Sequence, residues 1–453
     1  MRRLLRTVFP IRRGEILSVV LAAGFFFCVL NALMVLRPAR EALGMQGGLD
    51  AVRWLFVGTA VVTLMVNPVF GWLVARFRRF QFIAVTYLFF AGGLVSFFLL
   101  LRTSPGTIGV LTGQVFYVWF SVFNLFATMV FWALMADRHS LEQSQRFFGP
   151  ISVGGTLGAI CGPWLASVLA RPLGTSSLLL VSAAFLLLAL CLAGVILRRS
   201  PSGGARLAAG LHVPIGGGAW AGIGALFRSR FLAGIAMYVI LLAVMATFLY
   251  FTRLQMVAAQ VSGLDTRTVL FARIDLWTQI GTLLMQLLLA GPLMRRLGMP
   301  LTLALLPLVA SLGFLGLALS GTLVSLILFE AVFRAIQRAV MRPARETLFT
   351  VLEREQKYKA KAFIDTFVYR FGDVVGAQLE GLLGRLAMGL GALASAAIPL
   401  ALAWAVLGLW LGRAQLRQPP VAGRSEQAVL EPVTARADKC SDHRAETPKR
   451  SLS

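Results

Sequence analysis

Residues Ser176–Leu197 read SSLLLVSAAFLLLALCLAGVIL, an uncharged run closed at once by Arg198 and Arg199. Crossing the hydrocarbon of a bilayer takes about 20 predominantly apolar residues in a helix, where every backbone N–H and C=O is satisfied without water. The run is therefore predicted to span a membrane, with a basic stop on one side. Five stretches of the same kind precede it: Glu15–Leu36, Trp54–Ala75, Phe80–Leu101, Ile108–Ala136 and Phe147–Leu169. A polar, Gly- and Arg-rich connector, Arg198–Arg230, follows it. Then come Phe231–Thr252, Val269–Leu289, Met299–Leu319, a span starting near Thr322, Ala362–Leu383 and Leu390–Leu411. The fold class expected is an all-α membrane protein of about 12 transmembrane helices in two six-helix halves. The halves are 1–197 and 231–412, joined by the connector 198–230 and followed by a polar tail, 413–453, that reads as disordered.

Composition agrees. Of 453 residues 58% are hydrophobic and 14% charged, with mean hydropathy +0.79, against roughly 25% charged in soluble domains. The net charge of +24 would suggest nucleic acid in a soluble protein. Here the loops explain it. Alternate loops carry Arg2/Arg3/Arg6/Arg12/Arg13, Arg76/Arg78/Arg79, Arg138/Arg146, Arg198/Arg199/Arg206, Arg295/Arg296 and Arg354/Lys357/Lys359/Lys361, while the intervening ones hold isolated Arg102, Arg171 and Arg267. By the positive-inside rule this predicts an even number of spans with both termini cytoplasmic, in a bacterial inner membrane, and no nucleic-acid partner. The Arg-rich start, Met1–Arg13, resembles a signal peptide's charged region, but the apolar run after it is long and lacks a small-residue cleavage site. It reads as the first, uncleaved helix.

The two halves carry matching signals. Gly71-Trp72-Leu73 followed by Arg76, Arg78 and Arg79 corresponds to Gly291-Pro292-Leu293 followed by Arg295, Arg296 and Gly298; Leu141-Glu142 then Gln145-Arg146-Phe147 corresponds to Leu352-Glu353 then Gln356-Lys357-Tyr358. Parallel six-span halves are the plan of the major facilitator architecture, whose binding site lies between the halves near the midplane.

Intramembrane charge costs roughly 2.5–3.5 kcal/mol per Arg or Asp on insertion scales and marks function by default. The tenth span carries Glu330, Arg334, Arg338 and Arg342 at spacings of four, then Arg345 and Glu346, so one helical stripe is expected that faces a wet cavity or partner carboxylates. The eleventh adds Asp365, Arg370, Asp373 and Glu380; the eighth Arg273, Asp275 and Gln279; the seventh ends in Arg253-Leu254-Gln255. The first ends in Arg37-Pro38-Ala39-Arg40-Glu41, a string repeated at Arg342–Glu346. Pro38 disfavours helical geometry at Arg37, which predicts a helix break there. Snorkelling to headgroups is the plainer reading of Arg37 and Arg40. Helices 1, 4, 7 and 10 line the cavity of the facilitator architecture, and guanidinium grips phosphate or carboxylate bidentately. The expected cargo is therefore a small anionic solute. Its candidate ligands are Arg37, Arg40, Glu41, Arg253, Arg334, Arg338, Arg342, Arg345 and Glu346. Glu330, Asp365, Arg370 and Asp373 are candidates for charge pairing and gating.

Other chemistry finds little support. Cys28, Cys161, Cys191 and Cys440 show no CxxC spacing, and His139, His212 and His443 have no metal-ligand spacing. No Gly is followed by Lys, so no Walker A motif exists, and no triad is present. No enzyme activity, metal or cofactor is expected. Gly154, Gly155 and Gly158 read as small residues for close helix packing rather than a phosphate loop.

Three segments carry a family likeness: Phe131-Trp132, Asp137, Glu142, Arg146-Phe147, Gly154 and Gly158; Arg345-Glu346, Glu355-Gln356-Lys357-Tyr358-Lys359-Ala360-Lys361 and Ile364-Asp365; and the run Leu36–Leu43. In these the chain resembles the bacterial and plastid-type ATP/ADP translocases. The resemblance implies nucleotide exchange without hydrolysis, a nucleotide or organic phosphate as partner, and substrate contacts at Arg37, Arg40, Glu41, Arg345 and Glu346. The chain departs from that family in having Arg at 40 and 345 for Lys and Ala360 for Gly. Two rival readings stand beside exchange. One is a proton-coupled or uniport facilitator for another organic anion, with Asp365 or Asp373 as the titrating acid. The other is a non-transporting lipid-handling or sensor protein whose Arg meet membrane lipid.

Overall fold

The computed structural model describes residues 15–76, 79–103, 106–139, 141–199, 229–352, 360–361, 363–385 and 390–417, and these form helices joined by short turns. The first half comprises α1 (Ile16–Gly44), α2 (Gly48–Arg76), α3 (Arg79–Thr103), α4 (Thr107–Arg138), α5 (Leu141–Leu173) and α6 (Ser177–Arg199). The second opens with α7 (Arg230–Gln260), capped by Ser229, whose hydroxyl accepts from the Leu232 N–H. A helical run, Leu264–Ser320, then turns back at Gly298. Its φ of 64° and ψ of 167° are open to glycine and costly for other residues, so the run divides into α8 (264–297) and α9 (299–320). Next come α10 (323–348), α11 (364–385) and α12 (Leu390–Leu416).

Both α10 and α11 contain a π-turn. In α10 it covers Gln337–Met341, where the Arg342 N–H donates to the Gln337 carbonyl five residues back. Pro343 follows directly and has no N–H to offer a carbonyl four residues back, so the wider turn relieves the mismatch. In α11 it covers Ile364–Val368, with the Tyr369 N–H reaching Ile364.

Two expectations are corrected. Helix α1 does not break at Arg37; it runs through Pro38 to Gly44 and buries Pro38, Ala39 and Glu41. Proline inside a membrane helix is tolerated when neighbours brace the freed turn, and α5 does so. A Cβ on Gly162 would come within 2.8 Å of Val35 N, one on Gly158 within 2.4 Å of the Phe27 carbonyl, and one on Gly154 within 2.2 Å of the Ala23 carbonyl. The glycines of α5 thus serve close packing on α1. Second, the helices overrun the expected spans by up to two turns, and the connector is shorter at both ends, since α6 reaches Arg199 and α7 starts at Arg230. Residues 200–228, the 353–359 segment with most of the lysine cluster, and the tail beyond 417 lie outside the described residues.

Each half has its own apolar core. One is centred on Phe25, Leu33, Phe116, Phe123 and Phe131, the other on Tyr238, Phe248, Leu306, Phe349 and Trp404. The halves meet where α1 and α5 pack on α8, and α2 on α11. A third cluster joins them: Ala42, Met45, Val52 and Tyr117 from the first half against Phe251, Leu254, Phe271, Ile274 and Ala377 from the second. It gathers the end of α1, the starts of α2, α4 and α8, and the end of α7. It therefore closes the face of the bilayer opposite the one where α1 begins. These are the far and near faces below.

Among the described residues eight stretches are long and apolar enough to cross a membrane on composition alone, the first of them, Ile16–Val69, taking in α1 and most of α2. Helices α8, α10 and α11 are the charged ones.

Candidate functional site

Arg253 is the hub. It lies two turns from the end of α7 and is fully buried. Its Nη1 donates to Asp275 Oδ1 of α8 at 2.7 Å and lies 3.5 Å from Glu330 Oε1 of α10; its Nη2 lies 3.7 Å from Glu41 Oε1 of α1. One guanidinium thus gathers carboxylates from three helices and both halves. Arg37 Nε reaches Asp275 Oδ2 at 3.7 Å, and Arg334 donates to Glu330 one turn away on α10. Beside the hub, Tyr250 donates its hydroxyl to Glu41, and the Tyr117 and Tyr250 hydroxyls are 2.9 Å apart. Arg40 lies 3.7 Å over the Tyr117 ring and 3.3 Å from Glu41.

Taking an ion out of water costs several kcal/mol even after relaxation, and only full pairing repays it. This cluster is not fully paired. Arg253 Nε and Nη2, Asp275 Oδ2, Glu330 Oε2 and Arg40 Nε are buried without a hydrogen-bond partner. Five guanidiniums (Arg37, Arg40, Arg253, Arg334, Arg338) face three carboxylates (Glu41, Asp275, Glu330), leaving two positive charges. The surplus is graded along α10. Glu330 is buried, Arg334 is 14% exposed at its side chain, and Arg338 and Arg342 are exposed. Arg338 touches Gln279 of α8 at 3.4 Å and feels the charge of Arg37 across the halves. It therefore stands on the side of α10 that faces α8 and Arg37 of the other half. Among the described residues neither Arg338 nor Arg342 has a carboxylate at ion-pair distance.

The α10 charges form two groups rather than one stripe. Beyond the π-turn, Arg345 points to α11 and is paired with Asp365 at 2.9 Å and Glu346 at 3.6 Å, while Lys361 donates to Glu346. This near-end set is roughly 22 Å along the helix from Glu330, at 1.5 Å per residue. Asp373 does not join either group; it accepts from Arg370 on its own helix at 3.1 Å. The two Arg-Pro-Ala-Arg-Glu strings lie toward opposite faces, each with an adjacent Arg–Glu contact, 3.3 Å for Arg40–Glu41 and 3.6 Å for Arg345–Glu346.

Sequence reasoning did not select Asp275, Gln279, Tyr117, Tyr250, Arg53 or Glu380 as site residues. Asp275 and Glu380 were visible as intramembrane charges, but their partners lie 22 and 327 residues away. The tyrosines carry no signal until the helices are assembled. Two more ties cross the far face. Arg53 of α2 donates to Glu380 of α11 at 2.9 Å, with Gln255 of α7 on the other carboxylate oxygen at 2.6 Å. Asp265 of α8 accepts from the Thr175 N–H and hydroxyl, at 2.7 and 2.6 Å.

Among the described residues twelve helices form two groups, each with its own apolar core, and a charged cluster lies between them; this is the build of a membrane transporter. The sequence profile of the Major Facilitator Superfamily matches residues 16–344, and the chain belongs to that superfamily. Among solved structures it is similar to the POT family transporter PepTSo (TM-score 0.62, 13% identity, 88% of this chain and 98% of that one). It is similar also to a mutant form of the nucleoside transporter NupG (0.58, 14%, 89% and 99%) and to a bacterial homolog of the human lysosomal transporter Spinster, solved inward-facing and unoccupied (0.52, 14%, 89% and 97%). At such identities these likenesses show the fold. No curated protein matches the chain.

Proposed function

We propose that this transporter exchanges phosphorylated organic anions, nucleotides foremost, across the bacterial inner membrane. The observation that carries the reading is the two-charge surplus between the halves, with Arg338 and Arg342 unpaired on the route from the near face. Guanidinium forks match phosphate oxygens bidentately, and a dianionic guest would neutralise the cluster. The positive-inside distribution makes the near face cytoplasmic, with both termini there.

The guest enters past Arg342 and Arg338 and is taken up by Arg37 and Arg334. Its oxygens compete with Glu330 and Asp275 for Arg334 and Arg253. Those carboxylates hold α1, α7, α8 and α10 together in the empty carrier, and this opposes return without cargo and favours exchange over net flux. Glu41 with Tyr250, a contact that joins the two halves, acts as the far closure. Fold neighbours include a nucleoside transporter and a peptide transporter, and the resemblance to ATP/ADP translocases favours nucleotides among phosphorylated anions.

The test is counterflow. Purified protein in liposomes loaded with ATP or ADP should accumulate labelled nucleotide from outside, and Arg338→Gln should abolish this while the protein stays folded. Absence of counterflow for every nucleotide removes the cargo; counterflow unaffected by Arg338→Gln removes that residue from the site.

A further inference from the structure

A cavity lies away from this site, at the seam where α2, α7 and α11 meet. Its volume is about 460 Å³, and its walls include Val57, Ala60 and Val61 of α2 and Phe367, Arg370 and Phe371 of α11. Apart from Arg370, every lining residue is apolar. Protein interiors are packed with few voids larger than a water molecule, so a space of this size at a helix seam is filled by something. Water is a poor occupant. It needs two to four polar partners, and the walls supply one. Hydrocarbon is the occupant the walls match.

Three features say which hydrocarbon. The seam faces the bilayer: Val61 is 49% exposed, Phe371 60% and Phe367 38%. The α11 wall is shaped by the π-turn Ile364–Val368, beside which Phe363 and Phe367 stack at 5.3 Å and 19°. Such turns cluster at functional sites. Arg370 is about 9 Å along α11 from its near end at 1.5 Å per residue, 35% exposed at its side chain, with Nη1 on Asp373. A long cation at that depth extends toward the headgroups of the near leaflet, and its remaining donors suit a phosphate.

We infer that this seam is a binding site for one acyl chain of an anionic phospholipid from the near leaflet, the chain lying between α2 and α11 and the phosphate held by Arg370. The site is separate from the cargo cluster and does not depend on what the carrier transports. Because α2 and α11 belong to different halves, the lipid is a replaceable part of the interface along which the halves move.

The experiment reconstitutes the full chain in vesicles containing phosphatidylglycerol with a photoactivatable group near the end of one acyl chain, and maps the labelled residues. Labelling at 57–64 and 363–374 is expected to exceed that at the exposed α3 residues Val85 and Phe89 several-fold. It should fall to that level in Ala60→Phe, which fills the cavity, and in Val374→Phe as a second filler, each checked for unchanged melting. Equal labelling at the seam and at α3, or labelling that survives both fillers, overturns the site. Phosphatidylglycerol should outcompete phosphatidylethanolamine in the wild type but not in Arg370→Gln. Equal competition by the two lipids in the wild type overturns the role of Arg370.

Discussion

Arg53 of α2 and Glu380 of α11 form a buried ion pair across the two halves, 2.9 Å from Nε to Oε2. It stands at the far face with the apolar cluster around Phe251 and Ile274, and it must part whenever that face opens. Breaking one partner of a buried pair typically costs about 3–5 kcal/mol. Glu380→Gln should therefore bias the carrier toward a far-open state. In a background lacking Cys28, Cys161, Cys191 and Cys440, a cysteine at Val257, fully buried, should label with an impermeant maleimide several-fold faster when Glu380→Gln is added. An unchanged rate would show that the pair is not part of the closure.

Arg253 and Arg338 should respond in opposite ways to the same substitution. Arg253→Gln takes from buried Asp275 its hydrogen-bonded guanidinium and from Glu330 one of two, and is expected to lower stability by about 3–5 kcal/mol, read as a drop in melting temperature. Arg338→Gln loses one long hydrogen bond to Gln279. It should change stability by less than about 0.5 kcal/mol while removing anion uptake.

In the proposed exchange Glu330 competes with the cargo for Arg253 and Arg334, both of which it contacts. Glu330→Gln enlarges the positive surplus, so nucleotide affinity should rise by about tenfold, equivalent to about 1.4 kcal/mol. Maximal exchange should fall, because release slows. A rise in apparent KM would contradict the competition.

Packing of α5 on α1 tolerates no added carbon. A Cβ at Gly154 would stand 2.2 Å from the Ala23 carbonyl, so Gly154→Ala should cost about 1–3 kcal/mol through overpacking. Gly149→Ala, which meets nothing within 4 Å, serves as the control. Comparable melting of the two variants would count against the close approach.

The twelve spans were legible because a membrane span is a local property of about twenty residues, and Ser177–Arg199 is a helix in its own right. The Arg-rich character of α10 was legible for the same reason. What stayed hidden depends on assembly. Tyr117 and Tyr250 are 133 residues apart and come within hydrogen-bond distance only when α4 meets α7. Arg53 reads as a loop residue beside Trp54 until α11 brings Glu380 to it. Pro38 suggests a break because local rules know nothing of the α5 backbone that braces it. Spacings of four from Glu330 to Arg342 point to a single face, and the π-turn in between cannot be read from the periodicity alone.

That extra residue in α10 has a mechanical consequence. Each residue advances an α-helix by about 100°, so the surplus one at Gln337–Met341 offsets the azimuth of everything downstream. Glu330 and Arg334 answer to α7 and α8, while Arg345 answers to α11. Were the bulge to migrate by a turn, as a wave passes along a rope, the downstream guanidiniums would swivel without the rod unwinding. One span could then exchange its allegiance between two sets of carboxylates.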